Sequence, residues 1–297
     1  MRRTVVMLVV ILGSLSVPGL AQATPSSSPV PTCAVADVPT AFTGYDQWQY
    51  TMVDTHFRLP ADYAPPDLVS TAEAGLNGGH ELRAFVIPHL KAMAEAAAAA
   101  GHPIAVQSAY RSYPTQVTTF QYWVKVDGYA YALKSSARPG HSEHQLGTTL
   151  DLRAKGGKAP WDYQDWAATP TGGWVAANAW RFGFAMSYPR GTEAQTCYMY
   201  EPWHYRYLGL DEAKAIHDQG VTPRAYLWAH WQASGAPVPA ASTSGTSAST
   251  PSRTVTVQPG DTLWGLAQRY GTTVAALRQA NGLQGDVIEV GMQLVVP

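Results

Sequence analysis

Two short stretches of the chain concentrate the side chains that could run hydrolytic chemistry. The first reads Pro139-Gly140-His141-Ser142-Glu143-His144-Gln145-Leu146-Gly147 and is followed by Asp151; the second is Glu201-Pro202-Trp203-His204. Together they offer two imidazoles and a carboxylate as ligands, with a further carboxylate left over. That is the inventory of a catalytic zinc site: three protein ligands, an open position and a base beside it. The chain has nine His, so a single His carries little weight. The spacing H-x6-D with a distant E-x-x-H is moderately specific on its own. It differs from the helical H-E-x-x-H pattern, where two ligands recur at i and i+4.

The elements that must position these residues are legible in outline. His144 falls in a Gly-bounded loop leading into a strand, Thr148 to Leu152, on which Thr149 and Asp151 share a face by the period of two. Glu201 and His204 are three apart, which a regular strand would send to opposite faces; Pro202 argues that the strand starts after Glu201 and leaves it free to turn into the site. Glu81 to Ala100 is rich in helix formers, with Leu90, Met93 and Ala97 on one face and Gly101 as the stop. Pro88 inside it marks either a kink or the first turn of a second helix. Ile104 to Ala109, Phe182 to Ser187 and Trp203 to Leu208 read as strands. Helices are expected from Ser112-Tyr113-Pro114 through Phe120 and Trp123, from an Asp211 N-cap to Gly220, and from Thr222-Pro223 to near Trp231. Helices and strands mix without a regular βαβ alternation, so the expected class is α+β, a small, mostly antiparallel sheet with flanking helices.

Composition sets the frame around that domain. The 297 residues are 46% hydrophobic and 14% charged, suited to a sizeable core, and ten Trp with sixteen Tyr give a heavy aromatic load. Twenty basic against 21 acidic residues leave no excess to neutralise phosphates, which argues against a nucleic-acid partner. Arg2 and Arg3, the apolar run from Val5 to Leu12 and Ala21-Gln22-Ala23 read as a secretory signal, residues 1–23, with a mature start at Thr24 and no membrane span after its removal. Residues 24–40 read as a flexible N-terminal segment, 41–232 as the main domain, 233–253 as an Ala/Ser/Thr/Pro linker, and 254–297 as a small ordered module. Cys33 and Cys197 are the two cysteines; export permits one intramolecular pairing, which would fasten the N-terminal segment close to Glu201. A secreted monomer, in the cell wall or periplasm, is expected.

The segment Ser108-Ala109-Tyr110-Arg111-Ser112-Tyr113-Pro114-Thr115-Gln116, then PGHSEHQLGTTLDL, then EPWHYRYLG resembles the VanY-type D-alanyl-D-alanine carboxypeptidases, in the zinc peptidase group shared with lysostaphin and hedgehog. The likeness spans roughly 59–220, with the three motifs in the family's order. It implies that His144, Asp151 and His204 bind Zn²⁺ and that Glu201 is the base. It further implies that Arg111 stabilises the anionic oxygen formed during cleavage of a peptidoglycan stem peptide. Arg111, Gln116 and Ser142 are the available donors for a terminal carboxylate, and which holds it stays open. Thr148-Thr149 stands where the family usually has small apolar residues, a departure that touches packing near Asp151. The zinc pattern does not encode which bond is cut, so an L,D-carboxypeptidase, an endopeptidase and a non-catalytic wall-binding protein remain alternatives.

The terminal module carries Val257-Gln258-Pro259-Gly260-Asp261-Thr262-Leu263-Trp264, Asn281-Gly282-Leu283 and a closing Val290 to Pro297. It is similar to a LysM domain, which implies a βααβ fold binding N-acetylglucosamine-containing glycans. By that likeness the groove lies between Gly260, Asp261, Thr262 and the segment after Asn281. Asp261 also stands where it could cap the first helix.

Overall fold

Asp151 and His204 face each other across the middle of an antiparallel sheet, and the rest of the main domain supports that pairing. The structure, a computed structural model, describes residues 30–238, 253–258, 261–270, 272, 274–283 and 287–297. The expected signal sequence, residues 1–23, and most of the expected linker lie outside the described residues.

The chain begins with β1 (Val38–Pro39), paired in parallel with β2 (Phe57–Arg58). A small antiparallel pair follows, β3 (Leu68–Ser70) with β4 (Glu81–Arg83). Helix α1 (Ile87–Ala99) buries Leu90, Met93 and Ala97, and beyond its C-cap Ala100 the chain turns at Gly101, with φ 82°. Next come β5 (Ile104–Ser108), α2 (Tyr113–Asp127) and α3 (Tyr129–Ser135). They are followed by β6 (Thr149–Ala154), α4 (Pro170–Asn178), β7 (Phe184–Met186) and α5 (Glu193–Thr196). The main domain closes with β8 (His204–Tyr207), α6 (Leu210–Gln219) and α7 (Pro223–Ser234).

The central sheet has the order β5-β6-β8-β7 with every pair antiparallel. Its inner face packs Val106, Leu150, Leu152, Phe184, Tyr205 and Tyr207 with Leu90, Met93 and Trp166 into the main core. A register shift between Val106 and Ser108 sets Ser108 opposite Asp151, so β5 delivers a hydroxyl to the edge of the site. The α+β class and the small antiparallel sheet read from the sequence are thus present.

Several boundaries differ from the sequence reading. Glu81–Arg83 is strand, because it pairs with β3, and Pro88 sits in the first turn of α1 rather than at a kink. Gly209, not Asp211, occupies the N-cap of α6; Asp211 is the second residue of the helix, in its first turn, where its charge favours the helix N-terminus. The described part of the N-terminal segment, residues 30–40, is packed rather than flexible. Val38 is buried against Phe57 and Trp231, and Cys33 is bonded to Cys197. Helix α7 continues to Ser234, and Trp231 Nε1 donates to the Ala236 carbonyl, so the ordered domain passes the expected start of the linker at 233.

In the terminal module β9 (Arg253–Thr256) pairs antiparallel with β10 (Gln293–Val296), and α8 (Leu263–Tyr270) and α9 (Val274–Asn281) lie between them in sequence. Val255, Val257, Leu263, Leu266, Leu277, Leu294 and Val296 form its core, giving the expected βααβ order.

Candidate active site

The site is assembled from three pieces of backbone. The stretch Glu143–Leu146 forms a single 3-10 turn, ended by Gly147 in the left-handed region at φ 72°. A Cβ at Gly147 would fall 3.0 Å from Arg83 Cγ and Leu68 Cδ2, so both conformation and packing demand glycine. That turn aims His144 at the strand that follows it. Asp151, on β6, and His204, the first residue of β8, are register partners. Glu201 precedes β8 in a turn closed by the His204 N–H donating to the Glu201 carbonyl at 3.1 Å. The turn, foreshadowed by Pro202, brings Glu201 and His204 to one side, and Glu201 Oε2 lies 3.7 Å from His204 Nδ1.

One ligand atom each from His144, Asp151 and His204 lies within 4.8 Å of the others. His144 Nε2 is 3.3 Å from Asp151 Oδ2, and His204 Nδ1 is 3.2 Å from Asp151 Oδ1. The outer nitrogens are already engaged. His144 Nδ1 meets the Ala109 carbonyl at 2.7 Å, and only an N–H can bond there, which leaves Nε2 with its lone pair facing the centre. His204 Nε2 is held at 3.0 Å by Glu143, which turns Nδ1 inward. His144 Nε2 and Asp151 Oδ1 are buried yet have no hydrogen-bond partner among the described residues. Buried polar atoms are rarely left so. Two imidazoles and a carboxylate with bare, converging lone pairs fit a divalent cation, and the N/N/O donor set suits zinc.

The electrostatics agree. Burial works against a charged His204, yet the Asp151 and Glu143 carboxylates overcome it and lift the imidazole to about 10. Burial and the Arg111 guanidinium push His144 down to about 4. Asp151 is held well below the usual carboxylate range by both imidazoles, against the effect of its burial. Burial raises Glu201 to about 7, with the Asp151 charge adding to it and His204 opposing. A cluster this rich in carboxylate attracts positive charge to its centre, while Glu201 is tuned to exchange a proton near neutrality.

Arg111 lies alongside, with Nη1 3.6 Å from Asp151 Oδ2. Its Nη1 donates to Ser108 Oγ at 2.7 Å and its Nε to Gln116 Oε1 at 2.9 Å. The Gln116 amide donates in turn to the Ala137 carbonyl at 2.6 Å. Gln116 is therefore fully buried and committed on both sides, and it steadies Arg111 instead of offering a donor to substrate. Ser142 and Arg111 line a cavity of about 540 Å³ that also holds Glu201 and the three converging residues.

Glu143 is the residue that sequence reasoning passed over. It is buried, accepts from Ser187 Oγ at 2.6 Å and from Arg206 Nη1 at 3.1 Å, and sits against His204. Burial alone would raise its carboxyl, but His204 and Arg206 hold it at about 2. Its signal was its place between Ser142 and His144; its partners Ser187, His204 and Arg206 lie 44, 61 and 63 residues later, which spacing alone does not reveal. His141, by contrast, faces away, held by the Asp54 carbonyl and by Asp37.

In the terminal module Gly260 lies outside the described residues. Thr262 Oγ1, not Asp261, caps α8 by accepting from the Gly265 N–H at 3.0 Å. Asp261 accepts from the Gln258 N–H and from Arg269. The Asn281 amide joins α9 to β10 through the Val295 N–H and carbonyl, at 2.7 and 2.8 Å, so it is engaged within the fold instead of free for a sugar.

Comparison with known proteins places these features in context. The family profile described as VanY, D-alanyl-D-alanine carboxypeptidase, matches residues 79–210, and the LysM domain profile matches 255–297. A D-alanyl-D-alanine carboxypeptidase of Enterococcus faecalis is 31% identical over 191 residues, 61% of this chain and 66% of that protein. The chain thus spans just under two thirds of that curated relative. Among solved structures, the LD-carboxypeptidase LdcB is 34% identical with a TM-score of 0.53, covering 59% of this chain and 83% of that one. The zinc-bound vancomycin resistance D,D-pentapeptidase VanY is 30% identical with a TM-score of 0.52, covering 61% and 99%.

Proposed function

The chain belongs to the VanY family of D-alanyl-D-alanine carboxypeptidases and carries a C-terminal LysM domain; on that premise we propose that it is a zinc-dependent carboxypeptidase that removes the terminal D-alanine of peptidoglycan stem peptides. The observation that carries the reading is the convergence of His144, Asp151 and His204 ligand atoms within 4.8 Å, with the Glu201 carboxylate 3.7 Å from one of them.

His144 Nε2, Asp151 and His204 Nδ1 would hold Zn²⁺. Bound there, the ion supplies Lewis acidity, which lowers the pKa of water and polarises a carbonyl. The remaining work falls to the chain's own side chains. Glu201, raised to about 7, takes a proton from water at neutral pH and returns it to the departing amine, so the proton count closes over a turnover. Arg111, fixed by Ser108 and Gln116, presents a rigid guanidinium to the developing oxyanion or to the terminal carboxylate of the substrate. Ser142 adds a hydroxyl from the cavity wall.

A second reading is favoured by one comparison: the 34% identity to an LD-carboxypeptidase supports release of D-alanine from a tetrapeptide. Incubating defined pentapeptide and tetrapeptide stems, with and without chelator, and weighing the products tests both. Loss of one alanine from the pentapeptide fits the first reading and loss from the tetrapeptide the second; hydrolysis that persists in chelator sinks the zinc mechanism. The LysM module supports action at the wall outside the cell, on N-acetylglucosamine-containing glycan, after cleavage of the signal at Ala23. No helix among the described residues is long and apolar enough to cross a membrane.

A further inference from the structure

Helix α5 ends at Cys197, whose φ of 71° lies in the left-handed region. A residue with a Cβ adopts that conformation at a cost and keeps it where its surroundings hold it, which is why glycine usually fills such a helix end. Four residues later comes Glu201, the base of the proposed reaction, and Tyr198, Met199 and Tyr200 between them line the catalytic cavity. The stretch is neither helix nor strand. Its backbone is held by the Met199 N–H, which donates to the Lys134 carbonyl at 2.9 Å, and by the Glu201 N–H, which donates to the Tyr188 carbonyl at 3.1 Å.

Cys197 itself is held by its bond to Cys33, 164 residues earlier. The strap around Cys33 is fastened in turn to the stretch that carries His144. Asp37 Oδ1 accepts from Arg138 Nη1 at 2.7 Å and lies 2.9 Å from Nε2 of His141, three residues before His144. Arg138 Nη2 also donates to the Ala36 carbonyl. A second tie runs through Arg224, whose Nη1 donates to the Pro31 carbonyl of the strap at 3.0 Å and to the Gln195 carbonyl of α5 at 2.6 Å. Its Nε donates to Asp54 Oδ2 at 2.6 Å, and the Asp54 carbonyl meets His141 Nδ1 at 2.7 Å. The strap thus links the Glu201 segment, through Cys33 and Asp37, to the His144 turn. Cys33, Asp37 and Cys197 do not line the catalytic cavity, so they can act on the reaction only by placing other groups.

We propose that residues 31–38, closed by the Cys33–Cys197 bond, are a positioning clamp that sets Glu201 against the metal ligands, so that turnover depends on the bond being oxidised. The inference rests on the carboxypeptidase reading above and adds a control on its base. His144, Asp151 and His204 have supports of their own in the Ala109 carbonyl and the β6–β8 register, so opening the clamp leaves them in place. Arg111 likewise keeps Ser108 and Gln116. Glu201 is the member of the cluster that sits on the segment Cys197 begins. Once the bond is open, Cys197 relaxes out of the left-handed region and the segment moves with it. Misplacing a catalytic group by about 1 Å costs up to about 100-fold in rate.

The test uses the full-length zinc-loaded protein and the defined pentapeptide and tetrapeptide stems. Cys33 is exposed, so a phosphine reaches the bond; the phosphine takes up the oxygen of a water as two thiols form. Phosphine-treated wild type, and untreated Cys33→Ser with Cys197→Ser, lose about tenfold or more in kcat with KM little changed, at unaltered zinc content and below their melting temperatures. Oxidised glutathione, taking the electrons back from the two thiols, restores kcat to the reduced wild type. Full kcat in either protein, or a loss that merely tracks lost zinc or the unfolded fraction, would overturn the clamp and leave the bond a staple of the fold. If the double variant does not fold, the reduced wild type decides by the same criteria. Cleavage of neither stem by the oxidised wild type would overturn the carboxypeptidase reading instead.

Discussion

Glu143 Oε2 lies 3.0 Å from His204 Nε2, and this buried contact decides which ring nitrogen of His204 faces the other two ligands. The same carboxylate neutralises Arg206, whose side chain is fully buried. One residue therefore both orients a ligand and pairs a charge, and the two roles separate on substitution. Glu143→Gln keeps size and polarity but removes the charge, and metal affinity should fall about 10–100-fold, read by competition with a chelator. Glu143→Ala leaves Arg206 buried without a counter-charge and should destabilise the fold by about 3–5 kcal/mol in chemical denaturation. Unchanged zinc affinity in Glu143→Gln would remove it from the orienting role.

Glu201 sets a pH signature. Burial lifts its carboxyl to about 7 in the metal-free cluster, and a base must be ionised to act, so kcat/KM falls as pH drops through its pKa. A bound dication favours the ionised form and moves that limb below 7. Stability in the metal-free protein runs the opposite way. The folded pKa exceeds the unfolded value of about 4.3, so the folded state holds the proton more tightly and loses stability as pH rises through this window. Chelated Glu201→Gln should then melt higher than chelated wild type at pH 8 and at nearly the same temperature at pH 4. With zinc restored it should bind the ion and lose about two orders of magnitude or more in kcat. An acid limb that persists unchanged in the residual activity of Glu201→Gln argues for a different titrating group.

The convergence of His144, Asp151 and His204 with Glu201 beside them was legible from the sequence because each is tied to local chain geometry: a glycine-closed turn at His144, a strand for Asp151, a proline that delays the strand at Glu201. What escaped was set by contacts distant in sequence. Gln116 looks like a substrate donor until Ala137 and Arg111 are seen to occupy its amide. Glu143 looks like a spacer between two motif residues until Ser187, just after β7, and Arg206, on β8, are seen to bond it. Residues 24–40 read as a flexible segment from their Ser/Pro-rich start, yet in the described part, 30–40, Asp37 meets Arg138 and His141, and the Cys33–Cys197 bond fastens the chain. Composition cannot report such partners.

Arg111 is held on two sides, and its supports should grade in effect. Arg111→Lys keeps the charge but gives up the planar fork that reaches Ser108 and Gln116 together. It should lose about 100-fold or more in kcat/KM, as expected for removal of an oxyanion donor. Gln116→Ala should lose less, with zinc content unchanged, because the guanidinium remains and only its orientation is loosened. Elemental analysis alongside steady-state kinetics separates this from a metal defect. Gln116→Ala kinetics equal to the wild type would show that Ser108 alone suffices.

Metal removal should lower the melting temperature as well as abolish activity, since an ion that binds only the folded state stabilises it in proportion to ln(1 + [L]/Kd). The bare His144 Nε2 and Asp151 Oδ1 identify where that increment arises. Asp151→Ala and His204→Ala should show no rise in melting temperature on adding zinc. A full zinc-dependent rise in Asp151→Ala would place the ion elsewhere.

The boundary between enzyme and wall anchor is best cut after Val238. Helix α7 runs to Ser234, and the turn beyond it is pinned by Ser234 Oγ accepting from the Ala236 N–H and by Trp231 Nε1 donating to the Ala236 carbonyl. Deleting 233–297 would remove the last turn of that helix and expose Trp231, whereas deleting 239–297 leaves both in place. The shorter deletion should hydrolyse a soluble stem peptide at the wild-type rate, because among the described residues none that lines the catalytic cavity lies beyond 238. Its rate on insoluble peptidoglycan should fall, since a glycan-bound module raises the local concentration of the tethered domain near its substrate. Pelleting assays with purified walls separate the two effects: the truncated protein should stay in the supernatant and the full chain should sediment. Equal sedimentation of both would mean that the catalytic domain itself grips the wall, with the exposed Trp161 on the cavity wall the first residue to mutate.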